Sequence, residues 1–376
     1  MMKKMLTLVL ALCLLLPLLA AAETVPTGAT LVLDSGAAPA LFLPDGGLVY
    51  VPWQMDDHVS LPHTELRRVD AAGQLLWSST LPAFRALWGG LHPLSGGDFL
   101  LFAELNEDNQ WMQYVLSGEG HIKDSRALPR DIFPLMAAGD RIFGSLQGQE
   151  AHQLFQINLD GSKQPYHFPA VGDNVTVMRS MPNEAGHLLH AVGKLSQEEN
   201  ISQRTADQVL LYLDEKGGQA RHARLHNKKF VEGFAGDAVF NPQGGLTALV
   251  KDDYKDIFNR FSVISFDESG VQVWEKQYSL GVHSVSAQLI NRLPAGGYLI
   301  HGAGTVSLEG QEGFVFRLQV DADGGPLAFS VRASKDGRMV RDGQGQPLVF
   351  NGWPPAAWAA PFESLPEMDV QMKVVP

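Results

Sequence analysis

The sequence predicts an all-β protein, a beta-propeller of about seven four-stranded blades, from three recurring observations. A glycine turn followed by an apolar run returns about seven times, a second apolar strand closed by an Asp-x-x-Gly turn follows most of these runs, and a further strand leaves that second turn. The first turns are marked by Gly46, Gly96, Gly139, Gly186, Gly244, Gly296 and Gly345. Their mean spacing of (345 − 46)/6, about 50 residues, is typical of propeller repeats. Six blades is the alternative, in which the weakly matching C-terminal unit is an appendage.

The first turn of each unit predicts a tight hairpin. Glycine adopts positive φ values without a Cβ clash, which such a hairpin requires. The runs that follow are almost continuously apolar, as expected of strands packed on both faces. They are residues 48–51, 99–102, 188–191, 246–250 and 298–301.

The second turn of each unit predicts another hairpin. Aspartate caps its own turn through its side chain, and glycine takes the left-handed position. The strands and turns of this kind are residues 66–73, 154–161, 210–217, 263–270 and 316–324. The strand that leaves the turn carries a tryptophan in register in two units, at Trp77 and Trp274. Four antiparallel strands per repeated unit are the composition of a propeller blade.

These units resemble the beta-propellers built from quinoprotein-like repeats, which read Gly-Gly, apolar strand, variable loop, apolar strand, Asp-x-x-Gly and Leu-Trp. The clearest match runs over residues 293–324. The resemblance implies the propeller fold over most of the chain. Tryptophan is present in two of the seven units, and the third and seventh units are degenerate. We therefore assign no quinone-binding role to any residue and expect no cofactor.

Residues 1–22 are predicted to be a signal peptide. Lys3 and Lys4 form the positive start, residues 5–19 the apolar centre, and residues 20–22 a small-residue cleavage site. The apolar centre is short for a membrane anchor, and Leu12 is too large for a lipoprotein site at Cys13. The remainder, residues 23–376, is predicted to be one propeller domain that is secreted or extracytoplasmic, with no membrane insertion after cleavage.

The only cysteine, Cys13, lies within the predicted signal peptide. The mature chain therefore holds no disulfide, so its stability depends on burial and on closing the ring. The C-terminal unit lacks an outer strand, and residues 29–33 form a spare strand. We expect this N-terminal strand to complete the last blade and close the ring, which removes an open sheet edge.

Charge is the main indication of function. The chain has 29 basic and 41 acidic residues, a net charge of −12, which repels nucleic acids. Several acidic residues fall between the second and third strands of a unit, among them the candidate ligand-binding residues Asp56, Asp57, Asp252, Asp253 and Asp256. In a propeller these loops share one face with the connections between blades. This acidic loop face suits a cation, a basic peptide or a carbohydrate; the alternative is that exposed loops are acidic in any acidic secreted protein.

Two tryptophans complete the candidate binding residues. Trp353 and Trp358 flank two prolines in residues 351–366, the least repeat-like part of the chain. Long irregular insertions in compact folds are often functional, and exposed tryptophans stack on sugars or peptides. The alternative is that they fill the wedges between blades.

Motifs for chemistry are absent from the sequence. There is no Gly-x-Ser-x-Gly elbow, no His-Glu-x-x-His pair and no phosphate-binding glycine loop. His187 and His190 point to opposite faces of a strand, and His222 and His226 lie about 13 Å apart along one. We therefore predict no metal site.

The sequence predicts an exported, non-catalytic, monomeric propeller that binds a protein, peptide or glycan on its acidic loop face. The alternative is an extracellular carbohydrate-active hydrolase or lyase whose carboxylates and histidines meet in the central funnel. Such a set escapes linear motif searches because each residue comes from a different blade.

Overall fold

A computed structural model describes residues 26–27, 29–33, 36–53, 63–82, 84–94, 96–105, 110–130, 132–138, 141–146, 154–158, 162–165, 176–183, 186–192, 208–213, 219–225, 237–241, 244–251, 259–307, 312–352 and 356–375. Within these ranges the chain forms strands throughout and no α-helix. A single short 3-10 helix there covers Phe362–Ser364. The predicted all-β fold class is confirmed.

The described strands belong to seven antiparallel sheets. After β1 (Leu31–Val32), the first sheet is β2 (Gly36–Phe42), β3 (Leu48–Trp53), β4 (His63–Val69) and β5 (Leu75–Pro82). The second sheet is β6 (Phe84–Pro93), β7 (Phe99–Leu105), β8 (Trp111–Leu116) and β9 (Ile122–Ala127). The third sheet is β10 (Ile132–Ala138), β11 (Arg141–Leu146), β12 (Leu154–Ile157) and β13 (Lys163–Pro165). The fourth sheet is β14 (Thr176–Asn183), β15 (Gly186–Val192), β16 (Gln208–Leu213) and β17 (Gln219–Leu225).

The last three sheets differ in how they end. The fifth sheet is β18 (Ala238–Phe240), β19 (Leu246–Lys251), β20 (Arg260–Phe266) and β21 (Gln272–Leu280), with β29 (Met372–Val375) as a fifth strand. The sixth sheet is β22 (Ser284–Arg292), β23 (Tyr298–Thr305), β24 (Gly313–Val320) and β25 (Pro326–Ala333). The seventh sheet is β26 (Arg338–Arg341), β27 (Pro347–Asn351), β28 (Trp358–Ala360) and β1.

The turns predicted from the sequence join these strands. Gly46, Gly244 and Gly296, in the turns that precede β3, β19 and β23, have φ values of 83°, 94° and 90°. In the second kind of turn, Asp70 Oδ1 accepts hydrogen bonds from the backbone N–H of residues 72 and 74 at 2.9 Å. Asp267 repeats this pattern with residues 269 and 271. The aspartate therefore caps the turn as its position in the motif predicts.

Neighbouring sheets pack through their faces and through their first strands. β2 contacts β6, β6 contacts β10, β10 contacts β14, β18 contacts β22, and β22 contacts β26. The core lies between the sheets; Phe261 and Phe316, from the fifth and sixth sheets, stack with ring centroids 5.5 Å apart. Four-stranded antiparallel sheets that meet along their first strands are the arrangement of a beta-propeller.

The N-terminal strand β1 is the outer strand of the seventh sheet. Leu31 lies opposite Ala359, and Val32 lies opposite Trp358. This pairing places β1 on the last unit of the chain, where the sequence prediction put it. Leu31 is buried, whereas Val32 is 44% exposed, which is the alternation expected of a strand with one covered face.

Two parts of the C-terminal unit differ from the sequence interpretation. Residues 358–360 form β28, a regular strand of the sheet, within the stretch that the sequence suggested was irregular. Residues 372–375 form β29, which pairs with β21 of the fifth sheet although these residues follow the last unit in the sequence. A backbone pairing so distant in sequence leaves no local signal, because any exposed strand edge offers the same hydrogen-bonding groups.

The two repeat tryptophans, Trp77 and Trp274, each contact a turn of the next sheet. The indole Nε1 of Trp77 donates to the carbonyl of Gly118 at 2.9 Å. Gly120 has a φ of 84°, and a Cβ on it would lie 2.5 Å from Trp77 Cε3. Trp274 contacts Gly324 in the same way, with the corresponding distance to Cζ3 being 2.9 Å. Glycine is required here both by the backbone and by the close indole.

We expect Gly120→Ala to lower the free energy of unfolding more than Gly96→Ala, as measured by urea denaturation. Gly96 also has a positive φ, of 92°, but nothing lies within 4 Å of its Cβ position. The control variant should lose about 1–2 kcal/mol from backbone strain alone. Gly120→Ala should lose about 1–3 kcal/mol more because the methyl group meets the indole. Equal losses of unfolding free energy in the two variants would show that the Trp77 side chain moves aside at no cost.

Candidate functional site

Most of the residues proposed from the sequence to bind a ligand lie outside the described part of the structure. These are Asp56, Asp57, Asp252, Asp253, Asp256 and Trp353. The strands that flank them are described, however. Asp56 and Asp57 come between β3 and β4, and the other three aspartates come between β19 and β20. Each group therefore connects the second and third strands of its sheet.

Trp358 lies in the core. Its side chain is 1% exposed and belongs to the hydrophobic cluster between the sixth and seventh sheets, with Val315, Val349 and Phe362. In this structure the indole is therefore covered by packing and is not presented to solvent.

The described residues contain a polar cluster, Asp237, His301, Arg317, Arg341 and Glu363, at the junction of the last three sheets. Its first part is an ion pair between Asp237, directly before β18, and Arg341, at the end of β26. Their side chains are 5% and 12% exposed, respectively. Strand β22 lies between them, since Ile290 donates its N–H to Asp237 Oδ2 at 3.2 Å and accepts from Arg341 at 2.9 Å. The pair thus links the first strands of three consecutive sheets.

Burial governs the electrostatics of this ion pair. Desolvation raises the pKa of Asp237, against the opposing effects of Arg341 and of hydrogen bonds from the backbone N–H groups of Ile290 and Ala238. Removing one partner of a buried pair leaves the other charge uncompensated, which costs about 3–5 kcal/mol in proteins. The pair is therefore a structural link whose two members depend on each other.

The second part of the polar cluster surrounds His301 on β23. This imidazole is 0% exposed, and its Nε2 accepts a hydrogen bond from Arg317 Nε at 3.1 Å. Arg317 in turn forms an ion pair with Glu363 and lies over the Phe362 ring, 4.6 Å from its centroid. Because Nε2 is the acceptor, the proton of the neutral ring is on Nδ1.

His301 is held neutral. Desolvation lowers its pKa to about 3, with help from the nearby charges of Arg317 and Arg341. An efficient general base at neutral pH needs a pKa near 7, so His301 is poorly suited to proton transfer there. The polar cluster is therefore suited to holding neighbouring sheets in position.

Sequence reasoning did not find this polar cluster. Asp237 and Arg341 are 104 residues apart, and no spacing rule connects them. His301 carried one usable signal, because it is a polar residue inside the apolar run of residues 298–301. A buried polar residue needs a partner, so a second polar position on a neighbouring strand was to be expected.

Within the described ranges, no group of three or more His, Cys, Asp or Glu side chains could hold a metal ion. The same ranges include no helix that is long and apolar enough to cross a membrane.

Charge differs sharply between the strands and their connections. The described strands hold 19 of the 29 basic residues but 4 of the 41 acidic ones. The connections between the second and third strands of the seven sheets hold 13 acidic residues against 3 basic ones. Acidic residues also occupy the opposite ends of the sheets, where several cap turns, as Asp70 and Asp267 do.

Comparison with known proteins identifies no family. No family model matches the chain, and no curated protein matches it. Among solved structures, the Dos1 propeller is 12% identical with a TM-score of 0.43, and 88% of each chain is covered. The BBS1N structure in complex with ARL6DN is 12% identical with a TM-score of 0.42, covering 91% of this chain and 94% of that one.

A third structure, TolB from Acinetobacter baumannii, is 13% identical with a TM-score of 0.37. The match covers 63% of this chain and spans about half, 53%, of the TolB chain. Likenesses at this level say nothing about function. The strand pairing of the chain itself defines its fold.

We expect acid to destabilise the protein partly through His301. The unfolded chain binds a proton at this imidazole below about pH 6.5, whereas the folded protein stays neutral down to about pH 3. The free energy of unfolding therefore falls by up to about 1.4 kcal/mol for each pH unit between these values. Between pH 7 and pH 5, the parent should lose about 2 kcal/mol more than a His301→Gln variant in urea denaturation.

The matched control for this comparison is His283→Gln, at an exposed position. This variant should lose as much stability as the parent between the two pH values. If the His301→Gln variant loses as much unfolding free energy as the parent between pH 7 and pH 5, His301 binds its proton in the folded state as it does in the unfolded chain.

Proposed function

We propose that the protein is an exported, monomeric, non-catalytic beta-propeller that binds a protein, peptide or glycan on its acidic loop face. The acidic loop face is the end of the molecule formed by the connections between the second and third strands of each sheet. The observation that carries the proposal is the excess of acidic residues in these connections, 13 against 3 basic. A surface with such an excess attracts cationic groups and repels nucleic acids.

The opposite end of the sheets supports the choice of face. Its aspartates have structural roles, since Asp321 accepts from the N–H groups of residues 323 and 325, and Asp342 accepts from those of residues 344 and 346. Turn aspartates of this kind are explained by folding alone. The acidic residues of the loop face do not belong to the Asp-x-x-Gly motif, so folding does not account for their number.

The described polar cluster favours binding over catalysis. His301 is neutral and inaccessible, and Asp237 is committed to Arg341 and to backbone N–H groups. The strands thus supply a rigid frame, and the loops supply the variable surface, which is the usual division of labour in binding folds.

We also propose that the seven sheets are seven blades of one ring, built from quinoprotein-like repeats without a quinone. Residues of the seventh and first sheets pack in one hydrophobic cluster, which includes Leu31, Phe350, Leu48 and Tyr50. Contact between the first and last sheets is what a closed ring requires. In this ring β1 is the closing strand, and it covers the edge of β28.

Ring closure predicts that the N-terminal strand stabilises the whole domain. A chain lacking residues 23–36 should have a lower thermal midpoint than the mature chain and should self-associate, because the edge of β28 is then open. The control is Val32→Ser, which changes an exposed side chain of the same strand and should leave both properties unchanged. A deleted chain that stays monomeric with the parent midpoint would overturn ring closure by β1.

Export is proposed from the N-terminal residues and the cysteine count. A positively charged start, an apolar centre and a small-residue site precede residue 23. A mature chain without cysteine is independent of the redox state outside the cytoplasm.

The binding proposal predicts an electrostatic contribution from the loop that precedes β20. Replacing Asp252, Asp253 and Asp256 together with Asn should weaken binding of a labelled oligolysine peptide by about tenfold at low salt. The difference should shrink at physiological salt, where the Debye length is about 8 Å. Fluorescence anisotropy titrations at the two salt concentrations measure both effects.

A matched control makes the same change of charge at the opposite end of the sheets. Glu119→Gln, Glu268→Gln and Asp323→Asn replace three exposed carboxylates in turns. This control should bind oligolysine as the parent does. Equal weakening in both triple variants would mean that net charge, rather than the loop face, attracts the peptide.

A further inference from the structure

We propose that the outer edge of the fifth sheet is a binding site for an extended peptide with apolar residues at every second position. Residues 366–375 of the chain occupy this site in the free protein. The site lies along the outer wall of the propeller, and it is independent of the acidic loop face.

The path of the C-terminal segment defines the site. After the 3-10 helix, the segment follows β25, with the N–H of Ala333 donating to Pro366 at 2.9 Å and that of Met368 donating to Val331 at 3.1 Å. It then reaches the fifth sheet, where β29 pairs antiparallel with residues 277–280 of β21. No other described sheet carries a fifth strand. The segment is thus held by backbone hydrogen bonds across two sheets.

The side chains of the segment alternate between the protein and solvent. Met368, Val370 and Met372 pack against the hydrophobic core between the fifth and sixth sheets. Asp369, Gln371 and Lys373 are exposed. This period of two is that of a strand with one covered face. Backbone pairing with pockets for alternate side chains is the way in which sheet edges recognise extended peptides.

A separate peptide can replace the segment because its side chains are only partly buried. None of residues 366–375 is buried, whereas the residues just before them, Phe362 and Leu365, are 2% and 5% exposed. Fully buried side chains therefore end at residue 365, and beyond it backbone hydrogen bonds and half-buried side chains hold the chain. Its only described ion pair, Arg332 with Glu367, leaves the glutamate side chain 86% exposed. Because β29 is the fifth strand of its sheet, this segment can leave without removing a strand from any four-stranded unit.

The occupant follows from the same contacts. A peptide that replaces the segment must be extended, must offer backbone groups to β21 and must carry apolar side chains at positions i, i+2 and i+4. The sequence of residues 366–376 meets these conditions, so a synthetic copy of it is the natural probe. In the parent chain this probe competes with a tethered copy, whose effective concentration is of the order of millimolar.

The test uses the full chain with its own segment weakened. In a Met368→Ser, Val370→Ser, Met372→Ser variant, a fluorescent peptide with the parent sequence of residues 366–376 should bind at least about tenfold more tightly than to the parent chain. A control variant, Asp369→Ser with Gln371→Ser, changes outward side chains and should bind the peptide as the parent does. A peptide with the same three serines should bind to none of the chains. Equal affinity of the parent and the first variant would overturn the proposal.

A disulfide lock provides a second test that does not depend on the folding of that variant. Ser279 and Lys373 lie directly opposite each other on β21 and β29, and opposed strand positions lie within disulfide reach. In a Ser279→Cys, Lys373→Cys chain with Cys13→Ser, oxidation should abolish peptide binding and reduction should restore it to the parent level. Binding that is the same in the two states would overturn the proposal. If the parent chain sediments as a dimer with exchanged segments, the site binds the segment of a second copy. That result would overturn the proposal that a separate peptide binds there.

Discussion

The structure depends on one constraint, which is that a four-stranded sheet cannot bury both of its own faces. Described sheets pack against one another, and the largest cluster of described buried residues lies between the fifth and sixth sheets. In the closed ring that we propose, every sheet has a neighbour on both sides, so the first and last sheets must also meet. The cluster that joins Leu31 and Phe350 to Leu48 and Tyr50 fulfils this requirement. A ring removes most exposed faces but leaves the outer edges of the sheets.

The charges follow from this arrangement. Strand positions carry long basic side chains whose heads reach turns at the ends of the sheets, as in the ion pairs of Arg68 with Asp45 and Lys123 with Asp98, at 2.7 Å and 2.6 Å. Arg68 also donates to the carbonyl of Gly118 on the next sheet. Ion pairs this exposed contribute little energy each. They pair basic residues of the strands with acidic residues of the turns.

The buried polar cluster has a different role. The hydrogen bonds that Asp237 and Arg341 make with the backbone of Ile290 hold the first strands of three sheets in one arrangement. His301 accepts a hydrogen bond from Arg317 at the same junction. Apolar packing alone tolerates small shifts between sheets. A shift that separates a buried ion pair is costly, because it leaves a buried charge without its partner. A frame fixed in this way suits the recognition by loops that we propose.

The sequence by itself determined the strands, their turns and the place of the N-terminal strand. The strands and turns are local features: the Asp267 side chain hydrogen-bonds within its own turn, and Gly46 and Gly296 have the positive φ values that their turns require. The N-terminal strand pairs with a distant strand, and its place was predicted because the last repeat unit lacked one strand. The tertiary structure alone decided the pairing of Asp237 with Arg341, the burial of Trp358 and the position of β29 on β21. Each of these joins groups that are close only after the sheets have packed. Backbone hydrogen bonds and desolvation act at short range in space, and no periodicity along the chain encodes them.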